Sequence, residues 1–255
     1  MNTKHAPGAP TQLNARIQRV PDEAPTPAPT PPPSFDYDVA IVGLGYVGLP
    51  TALEYHGAGL RVLALEASPD RLGAITAGAV DLVPADAARL DEALADDRFE
   101  LTLDASRLRT ARSVIICVPT PVDEFLMPDL GPLRSACATV VAAATPGQLL
   151  MLTSTTYVGC TQDLLVHPLA RHGLSVGEDV FVAFSAERID PGSVAVTQDA
   201  VPRVVGGATA ACEHRAVELL ASYASHVHPV KSLATAEMTK LLGEHVSRRQ
   251  HRPHQ

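Results

Sequence analysis

Gly43-Leu-Gly45-Tyr-Val-Gly48 is the segment of this chain whose residue types and spacing most plainly suit chemistry. It follows the apolar run Asp38-Val-Ala-Ile-Val and opens a helical stretch, the context in which GxGxxG cradles a phosphate rather than merely turning the chain. Gly43 permits the tight turn, Gly45 lets backbone approach a pyrophosphate, and Gly48 lets helix pack on strand. Tyr46 and Val47 sit at the helix N-terminus, whose unpaired N–H groups and positive dipole end favour an anion. A second strand-like run closes on Glu66, where a carboxylate can accept both ribose hydroxyls of an adenosine and repel a 2′-phosphate. This selects NAD over NADP. Arg71 follows, placed either over the adenosine or as a solvated helix residue.

Other chemistries are poorly served. Cys117, Cys137, Cys160 and Cys212 lie far apart without CxxC spacing, which predicts reduced thiols in a cytoplasmic protein rather than a disulfide frame or a zinc site. Three of the ten histidines fall in the last 13 residues, too irregularly spaced for a metal site. Twenty basic against 28 acidic residues give a net charge of −8, which excludes nucleic acid and an anionic membrane surface as partners. The uncharged span Val39–Leu53 is broken by three Gly and a Pro, and is shorter than the ~18–20 apolar residues of a membrane crossing.

The elements that must position these residues are legible from periodicity. Apolar runs bounded by charges and glycines recur at 38–43, 61–66, 100–103, 113–118, 148–154, 180–184, 203–205 and 227–230, and read as buried strands. Helical stretches lie between most of them, at 46–56, 69–77, 87–96, 130–144, 161–172 and 208–225. This alternation predicts an α/β fold, a doubly wound, Rossmann-like and mostly parallel sheet, over residues 36–230. Nine of the 22 prolines fall within residues 1–33, so residues 1–35 read as a disordered, proline-rich leader. Residues 231–242 read as the start of a further helix and 243–255 as a tail without apolar periodicity, so this short helix is expected to fray.

Three further segments narrow the dinucleotide fold: Ile116-Cys-Val-Pro-Thr-Pro121, Leu152-Thr-Ser-Thr-Thr-Tyr-Val-Gly-Cys-Thr161 and Phe184-Ser-Ala-Glu-Arg-Ile-Asp-Pro-Gly192. With Gly43–Gly48, Pro202-Arg-Val-Val-Gly-Gly207 and Ala234-Thr-Ala-Glu-Met-Thr-Lys-Leu-Leu242, the chain resembles the UDP-glucose/GDP-mannose dehydrogenase family over about 37–242. The Ser-Thr-Thr-Tyr and Glu-Arg-Ile-Asp-Pro-Gly stretches are most similar to the branch that oxidises UDP-N-acetylhexosamines. The resemblance implies oxidation of a UDP-sugar's C6 alcohol to a carboxylate with two NAD+, through an aldehyde and an enzyme-bound thioester, by a homodimer. It implies that Pro119 and Thr120 contact the cofactor, that Thr155 positions water or nicotinamide, that Glu187 handles a proton and that Lys240 stabilises an oxyanion. By composition alone Lys240 reads as a surface lysine. Ser154 and Thr155 also suit the N-terminus of the following helix, and Glu187 could instead pair with Arg188. The chain departs from the family pattern at Val158, Cys160 and Ala186, where Pro, Thr and Pro are usual.

The nucleophilic cysteine that the resemblance implies has no counterpart among the four cysteines, so this chain alone is expected to perform no full oxidation and to be monomeric. The genetic code permits residues 243–255 to be encoded so that, read one base later, they give Glu-Asn-Thr-Phe-Arg-Ala-Val-Asn-Ile-Ala-Leu-Ile, which resembles the family's continuation. A one-base frameshift after Leu242 is the corresponding expectation. The leading reading is thus the cofactor half of a nucleotide-sugar 6-dehydrogenase. The alternatives are a non-catalytic NAD-binding remnant or interaction module, and a β-hydroxyacid-type dehydrogenase that uses the lysine without a thiol.

Overall fold

Runs of Val, Ile, Leu and Ala, short enough for strands and apolar on both sides, pair into one sheet, while the longer amphipathic stretches between them coil against its faces. In the computed structural model the described residues are 1, 34–121, 128–154, 157–186 and 202–250, the last eight by backbone alone. The chain divides into two units, Met1–Pro31 and Pro32–Gln255, and the fold described here belongs to the second. The expected leader falls almost wholly outside the described residues, as do residues 251–255 of the expected tail.

The strands are β1 (Tyr37–Val42), β2 (Val62–Leu65), β3 (Phe99–Thr102), β4 (Ala111–Ile116), β5 (Leu149–Leu152), β6 (Phe181–Ser185), β7 (Arg203–Gly207) and β8 (Val227–Val230). The helices are α1 (Gly48–Gly57), α2 (Pro69–Thr76), α3 (Pro84–Leu94), α4 (Gly131–Ala143), α5 (His167–Arg171), α6 (Ala210–Leu220) and α7 (Leu233–Gln250). Sheet order is β3-β2-β1-β4-β5-β6-β7-β8, parallel throughout except between β6 and β7. The chain therefore moves outward from β1 to β3, then returns to the other side of β1 with β4. That reversal opens a crevice at the carboxyl ends of β1 and β4, where ligands of open α/β sheets bind.

Alternate side chains of each strand feed two cores. On one face Val39, Ile41, Ala64, Ile115 and Met151 pack with Leu49 and Leu53 of α1, Ile75 of α2, Leu90 of α3 and Ala216 of α6. On the other, Ala40, Val42, Val114, Ile116, Leu152 and Phe184 pack with Leu133 and Val140 of α4, Leu169 of α5 and Ala236 of α7. Expected and observed elements agree closely, with three differences. The stretch 161–172 begins as a π-turn at Gln162–Val166 before α5; Pro168 has no N–H to return to Leu164 and its ring crowds that carbonyl, so the helix widens locally. Helix α7 runs on to Gln250, eight residues past the end expected from the motif; beyond Gly243 the residues tolerate helix, and the next breaker is Pro253. Residues 105–110 add a 3₁₀ turn capped by Asp104, whose side chain accepts from the Ser106 N–H.

Gly206 and Gly207 explain how α7 reaches the site. A Cβ on Gly206 would lie 2.3 Å from the Ser232 carbonyl oxygen, and one on Gly207 would lie 2.3 Å from the Glu213 nitrogen. The pair thus lets α7 and α6 lie directly on opposite faces of β7.

A polar clamp ties the far end of the sheet across β2. The Tyr37 hydroxyl donates to Glu100, and Arg107 Nη1 donates to the same carboxylate at 2.5 Å. The Tyr37 hydrogen bond, helped by Arg107, holds the Glu100 carboxyl below its usual value, while burial and then the Glu100 bond raise the Tyr37 phenol. The carboxylate contribution is present above the unfolded value of about 4.3 and is lost as pH falls through the lower folded one. Thermal melts from pH 7 to 3 should therefore show a drop in Tm below about pH 4 that is shallower in Glu100→Gln; parallel curves would refute the clamp.

Candidate functional site

The first half of the site is the loop between β1 and α1. Gly43 has φ of 91°, a conformation open to glycine, and its N–H continues the sheet by donating to Leu65 O at 2.9 Å. A Cβ on Gly48 would stand 1.8 Å from the Gly43 carbonyl oxygen, so helix and turn meet here with no room for a side chain. A Cβ on Gly45 would meet nothing within 4 Å. The residue that flanks α1, Val47, provides no side-chain cap; within the first turn the Leu49 and Thr51 N–H groups donate to the Gly45 and Val47 carbonyls at 3.1 Å and Pro50 has none, so the N–H groups that can meet an anion are those of Gly48 and the loop before it.

These groups border a cavity of about 470 Å³ at the carboxyl ends of β1, β4 and β5. Gly45, Tyr46 and Val47 come from the glycine loop, Cys117 to Thr120 follow β4, Thr153 and Ser154 follow β5, Arg71 comes from α2 and Lys240 from α7. Among the described residues, Arg71 and Lys240 are the cations that line the cavity, and no described carboxylate lines it. The Arg71 Nε–H donates to Leu44 O at 3.1 Å, which holds its side chain against the glycine loop at the cavity's edge. Ser68 holds the start of α2 by accepting from the Arg71 N–H at 3.2 Å.

Glu66 stands beside the cavity rather than in its wall. Its Oε2 accepts the Leu44 N–H at 2.9 Å, and Oε1 accepts the N–H groups of Ala67 at 2.9 Å and Ser68 at 3.0 Å. A carboxylate has about four acceptor directions, so about one is left for a ribose hydroxyl rather than two. The same carboxylate thereby fixes the glycine loop to the end of β2.

Lys240 is half-buried, and its Nζ donates to Thr153 O at 2.9 Å across 87 residues of sequence. The compositional reading of a surface lysine is corrected: α7 carries it over the sheet into the cavity. Ser154 donates to Val118 O at 2.7 Å, joining the segments after β4 and β5. Thr155 and Glu187 lie outside the described residues. Cys117, expected in strand β4, lies just past its end and lines the cavity; Gly48 would bring a Cβ within 3.1 Å of its own, so a small side chain is required there. All four cysteines are buried.

Sequence reasoning missed Glu237. It is 1% exposed, and its carboxylate accepts the N–H groups of Gly159 and Thr161 at 2.6 and 2.9 Å and the Thr161 hydroxyl at 2.7 Å. No local spacing announces it, because both partners lie more than 70 residues earlier.

A dinucleotide fits this arrangement: the glycine-loop backbone ahead of α1, open space over Gly45 and two cations suit a pyrophosphate, and Glu66 suits the adenosine ribose. Among the described residues no cluster of three metal-ligating side chains occurs, and no helix is long and apolar enough to cross a membrane.

Known proteins agree with the geometry. The profile of the UDP-glucose/GDP-mannose dehydrogenase family, NAD binding domain, matches residues 37–224. A UDP-N-acetyl-D-glucosamine 6-dehydrogenase of Pseudomonas aeruginosa is 32% identical over 213 residues, covering 81% of this chain and 49% of the relative. A UDP-N-acetyl-D-mannosamine dehydrogenase of Escherichia coli K12 is 32% identical over 211 residues, covering 80% and 50%. Among solved structures, the UDP-D-ManNAc dehydrogenase of Pyrococcus horikoshii superposes with a TM-score of 0.76 at 29% identity, covering 82% of this chain and 50% of that one. The chain spans about half the length of the curated relatives it matches. It belongs to the UDP-glucose/GDP-mannose dehydrogenase family, of which it carries the NAD binding domain.

Proposed function

We propose that this chain is the cofactor-binding half of an NAD-dependent nucleotide-sugar 6-dehydrogenase that acts on the C6 alcohol of a UDP-N-acetylhexosamine. The observation that carries the reading is the convergence of Lys240 with the glycine loop, Arg71 and Thr120 around one cavity. A dinucleotide cradle alone serves many reactions. A half-buried amine on the Thr153 side of it suits a reaction in which an alcohol oxygen gains negative charge, and the names of the relatives above support the substrate class.

Bound NAD+ supplies the hydride acceptor. The backbone of Gly43–Gly48 holds the pyrophosphate, with Tyr46 and Val47 at its rim, Glu66 takes a ribose hydroxyl, and Arg71 covers the adenosine side. Pro119 and Thr120 form the wall that the cofactor lies against, the prolines keeping the Thr120 hydroxyl in place. The Lys240 ammonium, a point charge with three movable donors, stabilises the developing oxyanion. Thr155 positions water or nicotinamide, and Glu187 moves a proton, both on the strength of the motifs they belong to.

Full oxidation through a thioester needs a thiolate. Burial, with Cys160 nearby, pushes the Cys137 thiol up to about 12, and the other three cysteines are buried as well. We therefore assign the thioester step, and recognition of the UDP moiety, to residues other than those of this chain. That burial also favours a second reading, an NAD-binding module without turnover. We assign the chain to the cytoplasm, in keeping with four buried cysteines that form no disulfide.

Calorimetric titration with NAD+, followed by an NADH assay with UDP-N-acetylglucosamine and UDP-N-acetylmannosamine, tests the proposal. The chain alone should bind NAD+ and give no steady NADH. Joined to the second half of the Pseudomonas relative, it should oxidise a UDP-N-acetylhexosamine; absence of NAD+ binding sinks the cofactor assignment, and a joined protein that binds NAD+ without oxidising the sugar leaves the module reading.

A further inference from the structure

Helix α7 touches the segment that follows β5 at two places. At the near end, Lys240 Nζ donates to Thr153 O at 2.9 Å. At the far end, one helical turn back along α7, the Glu237 carboxylate accepts two N–H groups and one hydroxyl from Gly159 and Thr161. Residues three apart on a helix face the same way, so Glu237 and Lys240 grip the two ends of the stretch 153–161 together. Thr153 and Ser154 of that stretch are part of the cavity wall.

The Glu237 end is built for permanence. Its side chain and that of Thr161 are both fully buried, and all three hydrogen bonds run toward the carboxylate. It also stands at the beginning of the helical turn Gln162–Val166, where a negative charge satisfies first-turn N–H groups. Gly159 has φ of 98°, so the chain bends there in a way that presents its N–H to Glu237. By contrast the Lys240 amine sits at the tip of a long, flexible side chain, where it donates to Thr153 O. Of the two grips, Glu237 is the one that can hold α7 in register.

We infer that Glu237 is a positioning residue: by clamping α7 to Gly159 and Thr161, it sets where the Lys240 amine stands in the cavity. The inference rests on the proposed function for the meaning of Lys240, but the geometry it asserts is testable without turnover.

Glu237→Gln preserves size and replaces one acceptor oxygen with a donor, which then opposes a backbone N–H. The chain has three lysines, Lys4, Lys231 and Lys240, so acetylation by acetic anhydride can be followed at each by peptide mapping, with exposed Lys231 as the internal standard. In the full chain, Glu237→Gln should raise the Lys240/Lys231 labelling ratio about 5- to 10-fold. Amide exchange at Gly159 and Thr161 should rise at least about 10-fold, since their acceptor is compromised. A merely structural residue would lower Tm and leave the labelling ratio unchanged, and that result in a folded variant overturns the inference. Should Glu237→Gln fail to fold, Thr161→Val removes one of the three donors and is read by the same two measurements, with unchanged values again decisive against it. NAD+ titration in parallel separates the two ideas: loss of binding in the unsubstituted chain refutes the cofactor reading, whereas unchanged Lys240 labelling refutes only the role of Glu237.

Discussion

Gly48→Ala is expected to destroy both the fold of the β1–α1 unit and NAD+ binding, whereas Gly45→Ala should remove binding from a protein that melts normally. The two residues stand three positions apart in one motif, yet their surroundings differ completely. A methyl group on Gly48 would be placed 1.8 Å from the Gly43 carbonyl oxygen and 3.1 Å from the Cys117 Cβ, so α1 must lift off the sheet. Overpacking of this kind costs about 3 kcal/mol or more, a large part of a domain's total of about 5–15 kcal/mol. At Gly45 the same methyl group meets nothing within 4 Å, and it fills space that the pyrophosphate would occupy. Circular-dichroism melts and calorimetric NAD+ titrations of both variants decide the matter. Expected are a Tm loss of more than about 10 °C for Gly48→Ala, and for Gly45→Ala an unchanged Tm with affinity reduced at least about tenfold. Undiminished NAD+ affinity in Gly45→Ala would mean that the dinucleotide lies elsewhere.

The second large effect concerns the choice of cofactor. Glu66→Asn should weaken NAD+ about 30- to 100-fold and bring NADP+ to within a few-fold of it, which corresponds to roughly 2–3 kcal/mol. A hydrogen bond from a ribose hydroxyl to a carboxylate contributes about 1.5–3 kcal/mol, and a 2′-phosphate beside that carboxylate is repelled by about 1–4 kcal/mol per charge pair. The removed carboxylate also releases the Leu44 N–H, so the glycine loop loses its tie to β2 and Tm should fall by a few degrees. Titrations of both cofactors against both proteins measure the ratio directly. An unaltered NAD+/NADP+ ratio would show that Glu66 serves the loop alone.

Much of the fold was legible because strands and helices are written in local periodicity. The run from Asp38 through Gly48 announces strand, turn and helix within eleven residues, and each neighbour interaction it needs is short-range. For the same reason Gly43, Gly45, Tyr46, Val47 and Gly48 could be placed on the turn between strand and helix, whereas Pro119 and Thr120 entered only through the family resemblance; the cavity brings Gly45, Tyr46, Val47, Pro119 and Thr120 together. The boundaries of α7 were harder to read. Its sequence has little amphipathic pattern, and its seat on the sheet depends on Gly206 having no side chain to keep Ser232 and Ala236 away.

Sequence by itself determined the α/β class, the glycine turn between β1 and α1 and, through motif resemblance, the family with its NAD cofactor. Tertiary structure alone decided that Arg71 lines the cavity, that Glu66 accepts three backbone N–H groups, that Lys240 reaches Thr153 and that the buried Glu237 carboxylate binds Gly159 and Thr161. The physical reason is range: Lys240 and Thr153 are 87 residues apart, and Glu237 and Thr161 are 76 apart. No periodicity links positions so distant. They meet because the sheet reverses at β1 and β4 and brings the ends of its central strands, and the helix that crosses them, to one crevice.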